Sequence, residues 1–197
     1  AFNSAYKLKG DTALTEEALF NYAKLAVELS YNPYNEAVNA IQEYLNKYPE
    51  SIRHDELYGY LADLYLITKN YKSALTSIQQ IKKRSTRLDG AFQKIAYYRG
   101  IEMFNETDYD GAILLFAQAR EVTSDNSIKA LSSYWSGEAY YRTARWDKAA
   151  ESYNKFQVTP GAMSSKLFNT ANYNLGYCYF KKKDYAKASG SFRKYLA

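Results

Sequence analysis

Apolar residues recur along most of this chain at the three-and-four spacing of a single helical face, and the pattern restarts every 37 to 39 residues. Four short stretches set the register: Asn70-Tyr71-Lys72-Ser73-Ala74, Asp108-Tyr109-Asp110-Gly111-Ala112, Arg145-Trp146-Asp147-Lys148-Ala149 and Asp184-Tyr185-Ala186-Lys187-Ala188. Each places an aromatic three residues before an alanine, and Asn32-Pro33-Tyr34-Asn35-Glu36-Ala37 is a fifth of the same kind. The alanines fall at 37, 74, 112, 149 and 188, in steps of 37, 38, 37 and 39.

Further positions keep this register. Twelve residues before the alanine stands a small residue (Ala62, Gly100, Gly137, Gly176), and nine before it a large one (Tyr65, Met103, Tyr140, Tyr179). Four after it comes Ile41, Ile78, Phe116, Tyr153 or Phe192, and seven after it Tyr44, Ile81, Ala119, Phe156 or Tyr195. Offsets of three, four and seven share one face of a helix, so each unit reads as two amphipathic helices joined by a short turn. The small residue of the first helix and the alanine of the second let the two helices approach closely, and the large residues fill the space between one pair and the next. Such a pair cannot bury its apolar face alone, so pairs stack. The spacing predicts an all-α solenoid of antiparallel helix pairs with about five repeats, at 15–50, 51–88, 89–126, 127–163 and 164–197. Residues 1–10 read as the end of a preceding repeat. Gln157-Val158-Thr159-Pro160-Gly161 and Thr123-Ser124-Asp125-Asn126-Ser127 read as the loops between repeats. No boundary divides the chain, which reads as a single domain over 1–197.

These residues resemble the tetratricopeptide repeat (TPR), a family that places a large residue, Leu-Gly, Tyr, Ala, Phe, Ala and Pro along 34 residues. Tyr58, Leu61-Ala62, Tyr65, Tyr71, Ala74 and Ile78 match in the second repeat, and Leu175-Gly176, Tyr179, Tyr185, Ala188 and Phe192 in the fifth. The resemblance runs from about Thr15 to the end and implies a right-handed superhelix and a scaffold that binds other proteins. Two departures stand out. The repeats are three to five residues longer than the family's, and the first is one residue short between Ala26 and Ala37. Tyr44-Leu45, Lys47-Tyr48-Pro49 and Ser51 are in turn similar to repeat endings in bacterial cell-envelope proteins, such as the outer-membrane barrel-assembly lipoprotein and the periplasmic coordinator of the Tol-Pal system. That likeness implies part of a larger bacterial envelope protein, in the periplasm or at the outer membrane, with the cytoplasm as the alternative.

Composition changes this picture little. A net charge of +5 is spread among 21 acidic residues, without the basic stripe of a nucleic-acid binder. Binding of single-stranded nucleic acid is the alternative function, and none is expected. Lys181-Lys182-Lys183 falls where a helix should end and suits its dipole, and Glu16-Glu17 suits a helix start. No stretch approaches the ~20 apolar residues of a membrane helix, and no signal peptide is visible. The chain begins without Met and ends in a helical pattern, as a piece of a longer protein would. Cut ends expose apolar edges, so self-association through terminal helices is a further expectation.

Catalytic chemistry is not expected. His54 is the only histidine and reads as a surface residue in the first turn of a helix; Cys178 is the only cysteine and reads as a small buried residue. They lie more than three repeats apart in sequence, too far for a metal cluster or a nucleophilic dyad. No phosphate loop or nucleophile elbow is present. The expectation is a non-enzymatic protein with no cofactor and no metal.

In the repeat family the first helix of each pair lines the binding groove with its positions 2, 5, 9, 12 and 13. Counting the small residue as position 8, the resemblance brings Glu56, Gly59, Asp63, Leu66 and Ile67 to the groove from the second repeat. The third gives Lys94, Tyr97, Ile101, Phe104 and Asn105; the fourth Leu131, Tyr134, Glu138, Tyr141 and Arg142; the fifth Thr170, Tyr173, Tyr177, Phe180 and Lys181. The expected protein-binding surface is Tyr97, Ile101, Phe104, Tyr134, Tyr141, Arg142, Tyr173, Tyr177, Phe180 and Lys181, because tyrosine offers rigid contact area with a polar tip. The alternative is that these rings pack on one another or on a neighbouring segment of the full-length protein. The Lys and Asn with which some family members hold a chaperone's terminal carboxylate are missing: position 5 is Gly59, Tyr97, Tyr134 or Tyr173, and position 9 is Asp63, Ile101, Glu138 or Tyr177.

Overall fold

The computed structural model describes residues 2–7, 12–29 and 34–196. Among them the regular structure is entirely helical. The helices are α1 (Phe2–Lys7), α2 (Thr12–Leu29), α3 (Tyr34–Lys47), α4 (His54–Ile67), α5 (Tyr71–Gln79), α6 (Thr86–Asn105), α7 (Tyr109–Glu121), α8 (Asn126–Arg142), α9 (Trp146–Val158), α10 (Leu167–Lys181) and α11 (Tyr185–Leu196). None of them is long and apolar enough to cross a membrane. Asn32 and Pro33, which open the first turn motif, lie outside the described residues, as do Leu8, Lys9 and Gly10 of the expected preceding repeat. The irregular spacing between Ala26 and Ala37 falls across the gap at 30–33.

Packing gathers the chain into two compact units, Ala1–Arg84 and Ser85–Ala197. The break has a local cause. α5 spans only nine residues, and Ile81 is the last buried side chain before the polar run Lys82-Lys83-Arg84-Ser85. Asp55 at the start of α4 takes the Lys82 and Lys83 amides at 3.1 and 3.4 Å, so this backbone is held outside any helix. Ser85 then caps α6 by accepting from Leu88 N. α6 therefore begins at Thr86, three residues before the expected repeat start, and its 20 residues account for much of the extra repeat length.

The pairing follows the predicted register. Ala37, Ala74, Ala112, Ala149 and Ala188 are all buried, as are Ile41, Ile78, Phe116 and Tyr153 four residues on. The small residue of the first helix does a more specific job than letting backbones approach: it receives that ring. A Cβ added at Gly100 would lie 2.7 Å from Phe116 Cε1, and one at Gly137 2.7 Å from Tyr153 Cε1; one at Gly176 would strike the Phe192 ring. Close packing of this kind recurs in three successive pairs because the sequence recurs.

The turns between paired helices are built alike as well. Lys69, Thr107, Ala144 and Lys183 each sit in the left-handed region, with φ between 57° and 64°. The following amides, Asn70, Asp108, Arg145 and Asp184, donate back to the carbonyls of Tyr65, Met103, Tyr140 and Tyr179 at 2.8–2.9 Å. This is the Schellman closure, which normally places glycine at the left-handed residue. Asn70, Asp108 and Asp184 then cap the next helix through their side chains, accepting from Ser73, Gly111 and Lys187 amides; Arg145 does not.

Two expected loops are shorter than their polar composition suggested. α9 continues through Gln157 and Val158, leaving a link that starts at Thr159, and α8 starts at Asn126. Asp125 fixes that start, its Oδ1 accepting from Ser127 N and Ile128 N. Gln93, fully buried on α6, clamps the same link: Nε2 donates to the Ala119, Val122 and Asp125 carbonyls and Oε1 accepts from Asp125 N at 2.8 Å.

In the first unit, Glu16 and Glu17 lie beyond the first turn of α2, so they do not start a helix as expected. They anchor the end of α3 instead. Tyr44 Oη and Ser51 Oγ both donate to Glu16 Oε1, at 2.6 and 2.8 Å, and Arg53 pairs with Glu17 while its guanidinium lies over the Phe20 ring. The two hydroxyl donors hold the Glu16 carboxyl below its usual range. The Tyr44…Ser51 segment thus has a structural reason: Tyr48 packs on Tyr44 and its carbonyl meets His54 Nε2 at 2.7 Å. His54 opens α4, as expected, but is half-buried rather than a free surface residue.

Candidate functional site

Within the second unit the first helices of successive pairs lie side by side. α6 meets α8 where Phe104 packs on Trp135, and α8 meets α10 where Asn174 Nδ2 donates to Tyr134 Oη at 3.2 Å. Between α8 and α10 is a recess of about 420 Å³ lined by Glu138, Tyr141, Arg142, Tyr173, Asn174 and Tyr177. Helical spacing creates it: 138, 141 and 142 share one face of α8, while 173, 174 and 177 share the facing side of α10.

Its floor is polar and already satisfied. Glu138 Oε1 accepts from Tyr153 Oη at 2.7 Å and from Asn174 Nδ2 at 2.5 Å. Tyr153 is fully buried, and burial beside the Glu138 carboxylate raises its phenol far above the ordinary value, so it remains a donor. The walls are aromatic. Tyr173 and Tyr177 stand 4.8 Å apart, 40% and 36% exposed, with Phe192 and Tyr195 of α11 packed against their far sides. Tyr141 packs edge-on against Trp146 at 4.9 Å. Arg142 is exposed at the mouth.

Of the ten residues expected to form the binding surface, this recess collects four: Tyr141, Arg142, Tyr173 and Tyr177. Tyr97 and Tyr134 belong to the core instead, 9% and 5% exposed. Tyr97 packs on Phe116, and burial pushes its phenol up to about 12; Tyr134 packs between Tyr153 and Phe156. The long α6 and α8 carry position 5 deep between pairs, so these rings support the surface from beneath. Ile101 is half-buried, and Phe104 is held between Tyr109 and Trp135. Phe180 and Lys181 are exposed but do not line the recess; Phe180 packs edge-on against Tyr185. Asn174 was missed, because it sits between two groove positions and its sequence gives no sign that it bridges to Glu138. Cys178 is fully buried beneath the site, and burial pushes its thiol up to about 12.

Stacked antiparallel helix pairs, with a small residue in one helix receiving a ring from the other, define a helical-repeat solenoid protein. Residues 99–162 match one family model described as tetratricopeptide repeat, and residues 17–51 and 170–197 match another of the same description. Together these segments span more than half of the chain, which is a tetratricopeptide repeat protein. No curated protein sequence matches it significantly. Among solved structures it is similar to a MamA protein, with TM-score 0.53 and 21% identity over 94% of this chain and 92% of that one. It is similar also to YrrB, a TPR protein described as having an unusual peptide-binding site (TM-score 0.54, 16% identity, 100% and 91% covered). The apo form of RapI matches with TM-score 0.54 and 16% identity over 90% of this chain and 68% of that one. At these identities the likeness is one of fold.

Proposed function

We propose that this protein is a non-enzymatic scaffold whose α8–α10 recess holds an extended segment of a partner protein. The observation that carries the reading is the pair Tyr173–Tyr177, more than a third exposed in a concave site that also presents Tyr141. Exposed aromatics in a preformed recess are costly in water unless a partner covers them, and tyrosine is enriched at binding hot spots. The chemistry of the segment follows from the walls. An apolar or proline side chain fits between Tyr141 and the Tyr173–Tyr177 pair. An acidic residue fits beside Arg142, which has no carboxylate partner within 4.0 Å among the described residues. The floor hydrogen bonds between Glu138, Tyr153 and Asn174 hold the walls in place before binding, which reduces the entropy lost on association. The peptide-binding site ascribed to YrrB gives the reading a precedent within the fold.

A displayed peptide library selected on the purified protein tests it, followed by fluorescence anisotropy on the peptides recovered. Enriched sequences with an acidic residue near an aromatic or proline are expected, with affinity at least tenfold weaker for Tyr173→Ala/Tyr177→Ala and several-fold weaker for Arg142→Ala. Unchanged binding by these variants, with helicity intact, would move the site elsewhere. Preferential, steeply salt-dependent binding of single-stranded RNA would replace the reading altogether. The Tyr44…Ser51 ending supports placing the scaffold within a larger protein of the bacterial cell envelope, at the periplasm or outer membrane. Fractionation of source cells tests this, and recovery in the cytoplasm alone would overturn it.

A further inference from the structure

A second recess of the same unit, unrelated to the aromatic one, is built from cations. It measures about 160 Å³ and lies among α7, α8 and α9, lined by Arg120, Ser133, Tyr140, Lys148, Glu151, Ser152 and Lys155. Arg120 is half-buried. Its Nη1 donates to Ser136 Oγ at 2.5 Å and, at 3.4 Å, to the Ser132 carbonyl. Its other nitrogens have no protein acceptor among the described residues, and no carboxylate lies within 4.0 Å of it. Burial lowers its pKa, yet a guanidinium stays charged under any ordinary condition. Glu121 and Glu151 act on it only from beyond contact distance, and a desolvated permanent cation with no carboxylate in contact is costly, a cost recovered when an anion enters.

Three cations and one carboxylate line the recess, with Glu121 acting on Arg120 from outside the lining, so the site stays net positive. Lys148 stands 5.7 Å from the centre of the Tyr140 ring, and the Ser152 hydroxyl has no protein partner among the described residues. The volume leaves room for a tetrahedral oxyanion and its residual hydration. From this recess we infer a site for a phosphate group carrying two negative charges, held by Arg120 as a fork and by Lys148 and Lys155 as point charges, with Ser152 Oγ as a neutral donor. The same phosphate chemistry can arrive as free inorganic phosphate or on a phosphorylated side chain. Bound there, it bridges the second helices of two consecutive repeats, α7 and α9.

The test is a titration with inorganic phosphate at constant ionic strength against chloride, read by calorimetry and by the unfolding midpoint. Parallel arms use O-phosphoserine and succinate. Saturable binding with a rising midpoint is expected for the wild type, at least tenfold weaker in Arg120→Met and at least fivefold weaker in Lys148→Gln/Lys155→Gln. The double variant alters only exposed side chains, so its result stands even if Arg120→Met folds poorly. Phosphoserine binding as well as phosphate assigns the source to a phosphorylated side chain; phosphate alone assigns it to the free anion. Absence of saturation beyond the chloride control, equal binding by the double variant, or succinate binding as tightly as phosphate would each overturn the assignment.

Discussion

The fit of a ring onto a glycine in each helix pair can be probed by adding one methyl group. In Gly137→Ala the new Cβ would lie 2.7 Å from Tyr153 Cε1, 2.8 Å from Cδ1 and 3.0 Å from Cζ. Carbon atoms in contact prefer about 3.5–4.0 Å, so the ring must retreat by roughly 1 Å. Tyr153 has little room to do so: it is fully buried, bonded to Glu138 and packed against Tyr134. Overpacking of this kind costs about 1–3 kcal/mol, against which replacing a mid-helix glycine by alanine gains about 1 kcal/mol. The net expectation is a loss of up to about 2 kcal/mol. Gly190 on α11 supplies the control, since nothing lies within 4 Å of its added Cβ, and Gly190→Ala should stabilise by the ~1 kcal/mol of propensity alone. Gly176→Ala should fall between them: its clash is with Phe192, a half-buried ring that can turn outward. Urea unfolding followed by circular dichroism measures all three, and Gly137→Ala in a Tyr153→Leu background should recover most of the loss. Because Tyr153 also holds Glu138, the same substitution should weaken peptide binding at the recess. If Gly137→Ala and Gly190→Ala change stability by the same amount, the ring does not depend on the glycine and the account of the pairing is wrong.

Other expectations follow from the turns, the caps and the buried groups. Thr107→Gly and Ala144→Gly should each stabilise by about 0.5–1 kcal/mol in the same unfolding assay, since a left-handed residue with a side chain costs about 1–2 kcal/mol and glycine's extra unfolded-state freedom returns only part of that; a loss of stability would refute the strain. Gln93→Leu should destabilise by about 3 kcal/mol, because it leaves Asp125 N and three carbonyls without their buried partner, and an effect below ~1 kcal/mol would show that water replaces it. Glu16 is held below its unfolded pKa, so its contribution is present above the ordinary glutamate range and is lost as pH falls through the depressed folded value. Acid unfolding of Glu16→Gln should accordingly show a shallower loss of stability below about pH 4.3 than the wild type, and parallel curves would remove the Tyr44–Glu16–Ser51 cluster from the account. Cys178, buried with its thiol at about 12, should resist a disulfide reagent at pH 8 until the protein unfolds, and rapid native labelling would contradict its burial.

Much of the architecture was present in local patterns. The alanine register, the rings four residues later and the small residues twelve before them determine helix pairs because they depend only on helical period and side-chain volume. The alanines and the large residues four after them reach the structure intact: Ala74 with Ile78, Ala112 with Phe116 and Ala149 with Tyr153 are all buried. Resemblance also pointed to the two helices that form the recess, with Tyr141, Arg142, Tyr173 and Tyr177 on its walls. What those patterns could not separate is a ring at a groove position from a ring beneath it. Tyr134 and Tyr173 occupy the same place in their repeats, yet one is buried between α9 and its own helix while the other is 40% exposed against α11. Each packs on the equivalent rings of its own second helix, Tyr153 and Phe156 for Tyr134, Phe192 and Tyr195 for Tyr173; what differs is the next repeat, whose Asn174 reaches over Tyr134 only after the pairs have stacked. The division at Arg84–Ser85, the Gln93 clamp and the cationic recess around Arg120 are of the same kind. The period of a helix is carried by residues three and four apart, so the sequence by itself determined the repeat; which charges and rings remain facing water depends on residues 15 to 40 apart, and only the tertiary structure decided that.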